Sequence, residues 1–80
     1  MPLTKAWKPL ERATVDAVPN GYAVYELGDG EGTVIAVESG ILRDELKEAL
    51  AYGDAEQVRW TTTHTREQAE ELAEEHRDRL

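Results

Sequence analysis

Few side chains in this sequence are of kinds that do chemistry, and their spacing decides what they can do. The histidines are His64 and His76. A zinc site needs three or four ligands, and these two do not form a helical pair. No cysteine is present to complete a thiolate site, so no metal site is expected, and His76 reads as a half-buried helix residue. The run Gly28-Asp29-Gly30-Glu31-Gly32 resembles a phosphate-binding loop only in its glycines. It joins strand to strand, without the lysine of a P-loop or the ligand spacing of an EF-hand loop, and is expected to be a hairpin turn. Arg43 is a candidate for binding an anion at a sheet face. The plainer expectation is a solvated helix arginine paired with Glu48 or the turn acids. Tyr25 is expected to pack its ring and keep its hydroxyl wet. The acidic run Glu67–Arg79 fits the solvated face of an amphipathic helix, with a partner-binding helix as the sharper reading.

The elements that position these residues follow from pattern. Residues 1–20 form a lead-in anchored by Trp7 and Leu10, with about two helical turns over Leu10–Val18; Pro19-Asn20-Gly21 ends it. Tyr22–Leu27 is rich in β-formers and predicts a strand. Thr33–Glu38 predicts a second, its unbroken apolar run pointing to a central strand covered on both faces. With the glycine turn they make a hairpin. Ser39 is the expected N-cap of a helix with Leu42, Leu46, Ala49 and Leu50 on one face, stopped by Gly53 as a C′ residue. Glu56–Thr63 predicts a third strand with Val58, Trp60 and Thr62 on one side. Trp60 is expected in the core and Trp7 to pin the lead-in. Thr65 opens the last helix with Gln68 in capping-box position, and Ala69, Leu72, Ala73, His76 and Leu80 form its inner stripe. The expected fold is α/β (α+β): a small three-stranded, mostly antiparallel sheet packed with helices, in the order β-β-α-β-α after a helical lead-in.

Composition bounds the rest. Eighty residues make one small domain with a limited core. Seventeen Asp and Glu stand against nine Lys and Arg, a net charge of −8, and only Lys5, Lys8 and Lys47 are lysines. Such a surface suits molar salt, where the Debye length is about 3 Å. At ordinary salt it argues against nucleic acid. No apolar run approaches the ~20 residues of a membrane span, and no leader pattern is seen, so no membrane partner and a cytoplasmic location are expected.

From about residue 20 onward, the order and landmarks resemble the GIY-YIG nuclease superfamily, and more closely a set of small haloarchaeal proteins related to it. Ala23-Val24-Tyr25 matches the first motif, with Tyr25 at its tyrosine and Ala23 replacing its glycine. Val34-Ile35-Ala36-Val37-Glu38 takes the place of the second, with Ala36 where its tyrosine stands and Glu38 at its glycine. The resemblance places Glu45 at the family's catalytic arginine and Ala73 at its metal-binding glutamate; Arg43 and Glu74 are neighbours about 200° and 100° away around their helices.

The resemblance implies phosphodiester cleavage by a tyrosine, an arginine and a carboxylate-bound divalent metal. Cations placed in advance stabilise the charge that develops, and here those slots are reversed or empty. The leading expectation is a GIY-YIG-like domain, residues 21–80, that has lost nuclease activity and serves as a binding or assembly module, with no cofactor. A protein partner or self-association is expected over nucleic acid. One alternative is a divergent Mg²⁺-dependent endonuclease with a relocated site built from Tyr25, Arg43 and Glu74 or Glu70. Another is a structural homodimer, paired through a strand edge or the lead-in.

Overall fold

The computed structural model describes residues 6–79. The elements run β1 (Lys8–Pro9), α1 (Arg12–Ala17), β2 (Tyr22–Gly28), β3 (Val34–Ile41), α2 (Leu42–Tyr52), β4 (Gln57–Thr62) and α3 (Arg66–Asp78). The fold is α+β: a four-stranded antiparallel sheet in the order β1-β4-β2-β3, packed with three helices. The extra strand comes from the lead-in, whose Lys8 and Pro9 pair with Val58 and Gln57. Two residues ending in proline carry no strand signal of their own; the open edge of β4 draws them in. Leu80 and residues 1–5, which belong to the expected inner stripe and lead-in, lie outside the described residues.

The central strand is β2, not the segment with the unbroken apolar run. Each of its residues from Tyr22 to Gly28 has a partner on both β3 and β4, apart from Tyr22 on the β4 side. Ala23, Val24, Tyr25 and Glu26 are all buried. β3 is an edge, and its Ile35 is 51% exposed. The Val37 carbonyl accepts a 2.7 Å bond from Arg77 Nε, so a side chain satisfies one of the groups this edge leaves unpaired.

Ser39 does not cap α2. It pairs with Val24 inside β3, which runs on to Ile41. Pairing with β2 outweighs the local signals of serine and glycine here. Ile41 is the capping position and supplies no side-chain bond. At the other end, Gly53 is extended at φ −96°, not left-handed. It is needed for room: a Cβ there would lie 2.8 Å from the Ala49 carbonyl oxygen. Thr65 does cap α3, accepting from the Gln68 amide at 3.1 Å, while Gln68 Oε1 accepts from the His64 amide.

Alternation along β2 splits the interior in two. Ala23 and Tyr25 face α1 and α2 in a cluster with Leu10, Val15, Val18, Leu42, Leu46 and Val58, and Trp60 packs half-buried against it. Leu50, on the expected inner face of α2, is 39% exposed. Val24 faces α3 with Val37 and Ala73, and Leu72 packs against them. On this side Glu26 is fully buried and receives Arg59 Nε at 2.6 Å from the residue opposite it on β4. The Arg59 guanidinium lies 4.1 Å from the centre of the Trp7 ring. Trp7 in turn covers Gly28, where a Cβ would meet its ring at 2.6 Å. Trp7 thus pins the lead-in as expected, across a glycine that lets an indole lie on the backbone.

The turn between β2 and β3 is built by Asp29, whose carboxylate accepts from the amides of Glu31 and Thr33 at 2.9 and 3.0 Å. Gly32 adopts φ +84°, a conformation glycine enters freely. The GDGEG run is a hairpin turn with its aspartate engaged by its own backbone.

Candidate functional site

Tyr25 stands in the middle of the central strand and aims its ring between α2 and β3. Its hydroxyl donates to Glu45 Oε1 at 2.9 Å. Glu45 sits one turn into α2, and Gly40 clears its path. Gly40 has φ +152°, and a Cβ there would meet Glu45 Cγ at 2.8 Å. A side chain at 40 would be strained by its backbone and would push the carboxylate away from the tyrosine.

A groove of about 490 Å³ opens around this pair. Leu27, Ala36 and Ala49 give it an apolar lining, Glu38, Glu45 and Glu48 supply carboxylates, and Tyr52, 86% exposed, flanks it. No lysine or arginine is among its lining residues. Glu38 forms an exposed pair with Arg77 at 3.0 Å, a contact of small value in solvent.

The groove sets the protonation of Tyr25. Burial pushes the hydroxyl well above the ordinary tyrosine value, and the bond to Glu45 pushes it the same way, followed by the negative charges of Glu45, Glu38 and Glu48. The phenol therefore stays neutral and donates. It cannot serve near neutral pH as the phenolate that would take a proton from water. The arrangement accepts hydrogen bonds and positive charge, and it opposes phosphate.

The candidate residues do not converge. Arg43 donates from Nη2 to the Val18 carbonyl at 2.9 Å. It closes the C-terminal end of α1 rather than pairing with Glu48, because a backbone acceptor 25 residues upstream lies within its reach. Its Nε is buried with no partner among the described residues. Glu74 is exposed on α3, across the sheet from Tyr25. Glu70 is also exposed and shares a separate cleft at the sheet end with Tyr22, Gly40, Glu45 and Arg66. Ala73 is fully buried against Val24 and Val37. Among the described residues no group of three or more His, Cys, Asp or Glu side chains is placed to hold a metal ion.

The Glu26–Arg59–Trp7 stack was not legible in advance. Its one sequence signal is alternation: Glu26 shares a face with Val24, so a strand buried on both sides had to bury a carboxylate and find it a cation. That cation stands opposite on β4.

A family model described as Domain of unknown function (DUF7508) matches residues 1–79. No curated protein and no solved structure matches the chain.

Proposed function

The chain belongs to the DUF7508 family, and from that premise we propose that it is a small binding module with a GIY-YIG-like layout and no phosphodiesterase activity. The observation that carries this reading is the Tyr25–Glu45 bond inside a groove lined by glutamates. Tyr25, Ala36 and Glu45, the positions that the resemblance assigns to two tyrosines and an arginine, all line that one groove. Its charge is opposite to what cleavage needs. A phosphate entering it meets three carboxylates, where a cleaving enzyme offers preorganised cations worth about 10²–10³ in rate apiece. The position assigned to the metal carboxylate is an alanine sealed in the other core.

The groove favours a donor-rich or positively charged protein surface over nucleic acid. The setting belongs to the proposal too: a cytoplasmic protein working at high salt, in line with the acidic, lysine-poor and cysteine-free composition. Among the described residues, no helix is long and apolar enough to cross a membrane. The nuclease alternative requires Arg43 to leave Val18, and either Glu74 to cross the sheet or Glu70 to leave its own cleft for the Tyr25 groove.

The test is a plasmid-nicking assay in molar KCl with Mg²⁺ or Mn²⁺. No nicking above background is expected. Metal-dependent nicking that disappears in Tyr25→Phe overturns the reading.

A further inference from the structure

Across α2 from the Tyr25 groove lies a second hollow, of about 640 Å³, between α1 and α2. Each helix gives it three residues at i, i+3 and i+4, the spacing of a single helical face: Arg12, Val15 and Asp16 from α1, Lys47, Leu50 and Ala51 from α2. Val15 is buried in the core, while Leu50 remains 39% exposed. None of Arg12, Asp16 and Lys47 makes an ion pair with another described residue.

The charge of this hollow is unlike that of the molecule around it. The chain carries −8, and the outer face of α3 presents exposed Glu67, Glu70, Glu71 and Glu74. Two copies meeting through α3 would bring like charges together. The hollow instead holds two cations and one carboxylate. A two-fold axis sets each copy's carboxylate against the other copy's cations. The sheet edges are poor alternatives, since Arg77 engages the Val37 carbonyl of β3 and β1 is two residues ending in Pro9.

We propose that the α1/α2 hollow is a self-association face, occupied by a second copy of this chain. Leu50 meets the partner's Leu50 near the axis, and Asp16 faces the partner's Arg12 and Lys47, twice over. A standard interface covers about 800 Å² per partner, roughly one sixth of the 4992 Å² surface. Six lining residues fall short of that, so the dimer is weak, with Kd on the order of 10⁻⁴ M. Salt tightens it. Screening shortens from about 10 Å at 0.1 M to about 3 Å at 1 M, which weakens the repulsion between two −8 bodies more than it weakens contacts at close range. The proposal stands apart from the Tyr25 groove, and a positive nicking assay leaves it untouched.

The experiment is sedimentation velocity on the full chain up to about 1 mM, tenfold above that Kd, at low and molar KCl. A monomer–dimer equilibrium that tightens with salt is expected. Leu50→Glu raises Kd at least tenfold. Asp16→Lys and Lys47→Glu each weaken the dimer, and the double charge swap recovers part of the loss, since the partner's Arg12 keeps its sign. Circular dichroism checks that each variant is folded, and if Leu50→Glu is not, the charge-swap series decides. A wild-type chain that stays monomeric throughout, or a dimer indifferent to Leu50→Glu or to the single charge reversals, overturns the proposal.

Discussion

On the face of the sheet covered by α1 and α2, eight buried apolar residues form one cluster; on the face covered by α3 the cluster holds three, with Ala69 of α3 buried outside it. The first face closes by ordinary packing of leucine, valine and tyrosine. The second is too thinly supplied to close that way, and a carboxylate, a guanidinium and an indole complete it. The comparison teaches that a chain with so few large apolar residues can cover both sides of a sheet only by burying charge on one of them. A buried pair of this kind adds little net stability, because desolvation offsets its attraction. Its loss from one side only is what costs heavily.

Four experiments break or sharpen this contrast. Arg59→Leu removes the cation that faces buried Glu26 and is expected to lower unfolding free energy by about 3–5 kcal/mol, read from denaturant curves at fixed salt. The double change with Glu26→Leu should recover much of that loss, and a double variant as weak as the single one would show that the pair is not the principal feature of this face. Leu46→Ala, on the opposite face, is expected to cost about 2–5 kcal/mol by opening a cavity. Its effect should be independent of salt.

The helix that covers the thin face starts at a capped threonine. Thr65→Ala is expected to cost ~1 kcal/mol and to speed hydrogen exchange in the first turn of α3 while leaving α2 unchanged. Tyr25→Phe removes the bond to Glu45 and should cost about 0.5–1.5 kcal/mol. Here pH gives a sharper signature. The folded state holds the Tyr25 proton more tightly than the unfolded chain does, so above about pH 10 the unfolded state binds fewer protons. Stability is full below that point and falls as pH rises beyond it, by up to ~1.4 kcal/mol per pH unit. The slope should shrink in Tyr25→Phe, and an unchanged slope would assign the alkaline loss to other groups.

Much of the architecture was readable from periodicity and caps. The helical lead-in, the hairpin with its glycine turn, Leu42 and Leu46 in the core, and the Thr65 cap all follow from local signals. What failed was decided by partners distant along the chain. Ser39-Gly40 has the look of a helix start, but Val24 and Ala23 opposite hold it in the sheet. Val34–Val37 has the hydrophobicity of a central strand, yet β4 inserts on the other side of β2 and leaves β3 at the edge. Arg43 and Tyr25 are legible as residues but not as contacts: one finds a carbonyl 25 residues back, the other a carboxylate 20 residues on. Of Tyr25, Arg43 and Glu74, only Tyr25 lines the groove. Which of them meet depended on packing.

The pairing of β1 with β4 has a consequence for the order of assembly. Lys8 lies opposite Val58, and the Leu10 amide donates to the Glu56 carbonyl. During synthesis at about 5–20 residues per second, Trp7 and Leu10 emerge some 3–10 s before the strand that receives them. Through that interval the nascent chain carries an uncovered indole and leucine. Trp7 and Leu10 thus reach their places only once β4 is made, and the newborn chain is most open to chaperones and to its neighbours until then.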